Sequence, residues 1–213
     1  KAIWETWAPA DAHNRIDLSC RAMLIQEPSR WVLLETGIGA YMEPRMRERF
    51  GVQQEEHVLM DSLAEIGLTD SDIDVVVLSH LHFDHIQGIP FFGPGYVPIN
   101  KIVFHGCHPH LEQSIRDQML APYFPVTMEE MKSQISFEIH QPGDLIEVAG
   151  LSVTAVKQDH PGDSYGYRFE REGKIVVYST DAEHRAHHHC KDYHFLEFIA
   201  DADLLIFDAP YSF

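Results

Sequence analysis

Apolar residues along the chain come in short runs of roughly four to eight, divided by polar stretches with turn-forming Gly, Pro and Asp. That spacing predicts many strands and a few brief helices. The most uniform run, Ile73-Asp74-Val75-Val76-Val77-Leu78, is rich in β-branched residues and suits a buried strand. Leu18 to Ile25 and Trp31 to Glu35 flank the polar stretch Gln26 to Arg30, which contains Pro28, and predict a hairpin. The same pattern recurs for Leu145 to Val148 and Leu151 to Val156 around Ala149-Gly150, and for Tyr165 to Glu170 and Lys174 to Ser179 around Arg171-Glu172-Gly173. Lys101 to Phe104 predicts a further strand, and Asp203 to Asp208 a final buried one. Helical spacing is clearest in His57 to Ile66, where Val58, Leu59, Leu63 and Ile66 share a face and Gly67 is placed to end the helix. Leu111 to Leu120 and Asp192 to Ala200 also read as helices, Tyr41 to Phe50 as a charged surface helix or lid segment, and Ile86 to Phe92 as the start of a helix. Phe91 and Phe92 are expected in the core or a pocket wall.

The chemistry concentrates where the strand Ile73 to Leu78 ends, in Ser79-His80-Leu81-His82-Phe83-Asp84-His85-Ile86-Gln87-Gly88. In extended chain, residues two apart point the same way, so His80 and His82 can converge on one ion. Asp84 and His85 follow a turn later, face another way, and suit a second ion beside the first. Neutral imidazole and carboxylate are the ligands of hydrolytic zinc, iron and manganese sites. A polar loop that is rich in histidine by chance is a poor account of so many ligands directly after an apolar strand. His105, His108 and His110 precede a helix and lack a carboxylate at short spacing, so a pocket-rim or helix-start role is expected for them, not a second metal cluster. The run His187 to His189 reads as solvated loop.

The stretch from Ser79 to Gly88 resembles the signature of the metallo-β-lactamase superfamily, and the similarity extends from about Leu18 to Asp208. His160, in Gln158-Asp159-His160-Pro161-Gly162, matches the family's third histidine, and Asp181, in Val176-Val177-Tyr178-Ser179-Thr180-Asp181, matches its bridging aspartate. The resemblance implies an α/β fold, an αββα sandwich of two mixed β-sheets with outer helices and the site at one edge. It implies two divalent metal ions, zinc first, with iron or manganese as alternatives. His80, His82 and His160 would take one ion, Asp84 and His85 the other, and Asp181 would bridge them. A bridging water that loses its proton near neutral pH would be the nucleophile, with Asp84 as the catalytic carboxylate that orients it or shuttles its proton. Glu35-Thr36-Gly37-Ile38-Gly39 resembles the family's Asp-Thr-Gly turn, but Glu35 stands where an Asp usually supports the metal site, which leaves that support unassigned. The family adds a histidine beyond the final strand. The second site is therefore expected to lack one imidazole within residues 1–213, read as a single domain truncated at its C-terminus, with His184 as the nearest substitute.

Composition narrows the substrate. The chain has 213 residues, 45% hydrophobic, with no run long enough to span a bilayer. Its 16 Lys+Arg against 33 Asp+Glu give a net charge of -17, which repels polyanions and points to a small-molecule substrate, with neither nucleic acid nor membrane as partner. Cys20, Cys107 and Cys190 lie far apart, so reduced thiols and a cytoplasmic location are expected. Three functions share the ligand pattern. His85 to Phe92 and Tyr178 to His184 resemble the phosphodiesterase-like branch, which makes hydrolysis of a small phosphodiester, such as a cyclic nucleotide, the leading expectation. The helix before the motif resembles the lactonase and glyoxalase branch, which implies a lactone or thioester hydrolase. Tyr123 to Met131 resembles a stretch found in both phosphodiesterase-like and oxygen-binding diiron members, and the third function is a diiron protein that binds or reduces dioxygen as a sensor, without hydrolysis.

Overall fold

In a computed structural model the chain is described at residues 9–13, 19–39, 44–53, 55–183, 190 and 192–208. The buried run Ile73–Leu78 forms the middle strand of a sheet, because both of its faces are apolar and both find cover. This sheet contains β1 (Met23–Glu27), β2 (Arg30–Leu34), β3 (Ile73–Leu78), β4 (Lys101–Gly106) and β5 (Gln134–Ile139), in that order. The first pair is antiparallel and the other three pairs are parallel. A second sheet runs in the order β10-β9-β8-β7-β6, from β6 (Leu145–Val148), β7 (Leu151–Gln158), β8 (Ser164–Arg171), β9 (Lys174–Ser179) and β10 (Leu204–Phe207). Only its β9–β10 pair is parallel.

Alternation along the strands sorts side chains into two cores. Val32, Leu34, Val75 and Val77 face the second sheet and pack with Val153, Ala155, Tyr167 and Phe169. Leu33, Val76, Leu78, Ile102 and Phe104 face the other way, toward Leu63, Leu111 and Ile115 on helices and Met119 just past a helix end. Among the described residues the α-helices are α1 (Pro44–Phe50), α2 (Val58–Glu65), α3 (Phe83–Ile86), α4 (Leu111–Gln118) and α5 (His194–Phe198). Across the second sheet, Arg168 donates to the carbonyls of Phe198 and Ala200 at 3.1 and 2.8 Å, which ties α5 to the outer face. Each fully buried aliphatic or aromatic side chain contributes about 1.5–3 kcal/mol, so the shared layer between the sheets is what holds them face to face. The architecture is the αββα sandwich that the resemblance implied.

The hairpins form where the turn residues accept left-handed backbone. Ala149 and Gly150 have φ of 55° and 87°, and Glu172 and Gly173 have φ of 51° and 72°, the twist-matching two-residue turns. Other expectations need correction. Ile86 to Phe92 does not begin a helix: α3 starts earlier, at Phe83, and stops at Ile86, and Pro90, which has no N–H to donate, leaves only a 3₁₀ turn over Ile89–Phe91. β4 runs on to Gly106 and takes His105 into the sheet. β5 adds to the strands that the sequence predicts, since its pattern shows only Ile135 and Phe137 packed inward on an edge strand. β10 is also an edge strand, with Leu204, Leu205 and Phe207 exposed where a buried strand was expected. Leu18, residues 41–43, His184 and His187 to His189 lie outside the described residues.

Candidate metal centre

β3 delivers its last residues to the rim between the two sheets. Leu78 and Ser79 are pinned there by β8: the Tyr167 hydroxyl donates to the Leu78 carbonyl at 2.9 Å, and the Tyr165 N–H to the Ser79 carbonyl at 3.1 Å. His80 follows, 1% exposed, with its Nδ1 3.0 Å from Ser79 Oγ. That leaves Nε2 facing the rim. His80 Nε2 lies 3.0 Å from His82 Nδ1, which is 3.2 Å from His160 Nε2. Asp181 Oδ2 is 3.5 Å from His80 Nε2 and 3.7 Å from His160 Nε2. These four ligand atoms all lie within 4.8 Å of one another.

A second group shares one of these residues. His82 caps α3, and that single helical turn carries Asp84 and His85. His85 Nε2 sits 3.4 Å from Asp84 Oδ2 and 3.4 Å from Asp181 Oδ2. The six residues singled out in the sequence therefore converge, and the same Asp181 oxygen belongs to both groups. His160 and Asp181 arrive from the ends of β7 and β9, on turns that take left-handed backbone at Gly162 (φ 81°) and at Asp181 itself (φ 50°). An added Cβ at Gly162 would sit 3.2 Å from His82 Nε2, so this turn presses directly on a neighbouring ligand-type residue.

Glu35 corrects an expectation. It follows β2 with φ 69° and 1% exposure, accepts the Ser79 N–H through Oε1 at 2.9 Å, and places Oε2 3.0 Å from His85 Nδ1. The longer carboxylate thus reaches the ring of His85 from the position whose role the sequence left unassigned. Thr36 seals the same turn, donating from both N and Oγ1 to the His85 carbonyl at 3.1 and 2.6 Å. Gly88 is required beside it, because a Cβ there would stand 2.9 Å from the Thr36 carbonyl oxygen.

Electrostatics separate the histidines. Burial, with the neighbouring His85 charge, lowers His80 to about 3, and burial lowers His160 as well, so both rings are neutral near pH 7. Burial pulls His85 down too, but hydrogen bonds to Asp181, Asp84 and Glu35 outweigh it and raise the ring to about 12. Burial raises the Asp84 carboxyl, yet the His85 partner outweighs this and takes it to about 2. Asp181 is lowered in the same way, His85 again outweighing burial. One group thus sets the neutral His80 and His160 rings beside a carboxylate, and the other encloses a protonated imidazole in carboxylates. Nδ1 of His160 is buried without a hydrogen-bond partner. This donor set fits first-row divalent ions.

The remaining histidines divide. His108 accepts the His110 N–H at Nδ1 (3.1 Å), and its Nε2 donates to the Gly162 carbonyl at 3.2 Å, on the loop that bears His160, a rim position. His110 stands at the start of α4. His105 instead meets Glu138 and His140 of β5 and the turn after it, a grouping hidden in the sequence because the carboxylate is 33 residues away and arrives only through strand pairing. Phe91 and Phe92 line an apolar cavity with Leu63 and Phe104 on the helix-covered face of the first sheet. No helix among the described residues is long and apolar enough to cross a membrane.

Two mixed sheets face to face, with histidine and aspartate groups at strand ends along one rim, define a metal-binding sandwich of the metallo-β-lactamase type. The chain belongs to that superfamily: a family model described as "Beta-lactamase superfamily domain" matches residues 30–212. Among curated relatives, a probable metallo-hydrolase, YhfI of Bacillus subtilis, is 30% identical over 135 residues, 63% of this chain and 50% of that protein. A ribonuclease BN of Cronobacter sakazakii is 31% identical over 110 residues, 50% of this chain and 34% of its own. An N-acyl homoserine lactonase, AiiB of Agrobacterium fabrum, is 32% identical over 93 residues, 40% and 34% respectively. The chain spans half or less of the length of these relatives. The crystal structure of YhfI superposes over 92% of this chain and 64% of that one with a TM-score of 0.56 at 20% identity, a likeness of fold.

Proposed function

We propose that the chain is a dinuclear-metal-dependent hydrolase of a small phosphodiester. The observation that carries this reading is the pair of donor groups joined through one Asp181 oxygen. His80, His82, His160 and Asp181 would hold one divalent ion, and Asp84, His85 and Asp181 the other, with zinc favoured over iron or manganese. Ions bound there supply a water acidic enough to attack near neutral pH and an electrophile for the phosphoryl oxygen. The chain's own groups do the rest. Glu35 engages Nδ1 of His85 and leaves Nε2 to face the site, as Ser79 does for His80. Asp84 is ionised and its side chain is 43% exposed, so it can accept the proton of an attacking water and orient it. A new P–O bond forms from that water, the bond to the leaving alcohol breaks, and the proton passes to the departing oxygen.

Similarity to ribonucleases supports phosphodiester chemistry, and the net charge of -17 favours a small diester over a polyanion, which meets repulsion beyond the reach of the site. Similarity to the lactonase AiiB favours a second reading, hydrolysis of a lactone. The test is a panel of a chromogenic phosphodiester, a cyclic nucleotide, a lactone, a thioester and a structured RNA, with element analysis of protein purified without added metal. Small diesters should turn over fastest with zinc bound. Faster cleavage of the RNA or the lactone, or iron with an absorption band that changes on exposure to air, overturns the reading.

A further inference from the structure

Another group of ligand-type side chains sits at the end of β4 and β5 and shares no residue with the centre above. The two strands pair in parallel with His105 opposite Glu138, and His140, two residues further, returns to the same face. The His140 N–H donates to the Gly106 carbonyl at 2.9 Å, which carries the pairing past the strand end and keeps that ring in register. His105 Nδ1 is 2.9 Å from His140 Nε2 and 3.6 Å from Glu138 Oε2. All three ligand atoms lie within 4.8 Å of one another.

A tetrahedral ion with bonds of roughly 2.0–2.1 Å holds its ligand atoms about 3.3 Å apart. The two separations from His105 straddle that value, so the ligand atoms are spaced on the scale an ion requires. The two imidazole planes lie within 9° of each other with centroids 5.3 Å apart, the geometry of one proton shared in the plane between two nitrogens. An ion would displace that proton and sit off the line between the two nitrogens, so His140, on the turn after β5, would swing its ring to meet it while His105 stays in the sheet. Access is built in: His105 is 5% exposed and fixed in the sheet, whereas the Glu138 side chain is 54% exposed and opens the group to solvent.

We propose that His105, Glu138 and His140 form a separate site for a single first-row divalent cation, zinc above others, with water completing the coordination. Two imidazoles and one carboxylate with an open position are a recognised donor set for such ions. Among the described residues β5 is an edge strand whose only strand partner is β4, and the site ties the two together at the end where an edge strand frays first. The proposal does not depend on the function assigned to the rim centre.

The test uses the full chain and its Glu138→Gln and His140→Asn variants, altered at an exposed and a half-buried side chain, with melting curves of the ion-free proteins to confirm the fold. Cadmium NMR reports each bound ion as its own signal, and equilibrium dialysis against zinc counts them. The unaltered protein should show one signal and one equivalent more than His140→Asn, and Glu138→Gln should bind that extra ion at least about tenfold more weakly. Equal numbers of signals and equal zinc stoichiometry in all three proteins would overturn the proposal and leave a hydrogen-bonded histidine pair. The two sites fail independently, because removing His82 should affect only the rim signals and removing His140 only this one.

Discussion

Replacing Glu35 by Gln tests how the rim centre is held. The side chain is buried and uses both oxygens, one for the Ser79 N–H at 2.9 Å and one for His85 Nδ1 at 3.0 Å. Gln keeps a single acceptor. If its carbonyl stays with Ser79, its NH₂ faces Nδ1 and forces the His85 proton onto Nε2, the nitrogen that faces Asp84 and Asp181. If its carbonyl turns to His85, the NH₂ opposes the Ser79 N–H. Either way one charge-assisted hydrogen bond is lost, about 1.5–3 kcal/mol, or roughly ten- to a hundredfold in affinity for the ion at Asp84, His85 and Asp181. The ion at His80, His82 and His160, whose rings Glu35 does not touch, should keep its affinity within about threefold. Zinc calorimetry, with urea unfolding as the control for the fold, measures both. An unchanged second ion, or equal loss of both in a folded variant, would refute the account of Glu35 as the group that fixes the His85 ring.

The two ions should also differ in pH dependence. His85 is raised to about 12 in the ion-free protein and must lose a proton to bind, so affinity there should rise about tenfold per pH unit through neutrality, whereas the His80 ring, lowered to about 3, is already neutral and adds no such slope at the first ion. Calorimetry in buffers of different ionisation heat reads the released proton, and equal proton release from both sites would contradict the assignment. Gly162→Ala places a side chain at φ 81° against His82, so unfolding free energy should fall by about 1–2 kcal/mol and the first ion should weaken, which urea melts and zinc titration would detect. His82→Ala should remove the first ion and hydrolysis together, and full metal content in that variant would show that His82 is not a ligand.

Much of the rim centre is legible in the sequence because its residues mark strand ends. The run Ile73 to Leu78 is apolar on both faces, so it must be a central strand, and whatever follows it must leave the sheet at His80 to His85. The two-residue hairpins were readable for a similar reason, since Ala149-Gly150 and Glu172-Gly173 are local turn chemistry. The likeness of His160 and Asp181 to family positions then placed them with the motif, although nothing local links residues so far apart. What the sequence could not decide depends on contacts between distant segments. The reach of Glu35 to His85 rests on a side chain 50 residues away across a turn with positive φ, and residue type alone suggested a departure where the structure has a contact to the His85 ring. β5 escaped notice because an edge strand buries one face only, and its short apolar alternation is a weak signal. The pairing of His105 with Glu138 is set by the register of β4 against β5, and register is a property of the sheet. Ligand type, strand end and turn are properties of neighbouring residues, and these the sequence determined. Which distant side chains meet is decided by packing, and only the tertiary structure contains it.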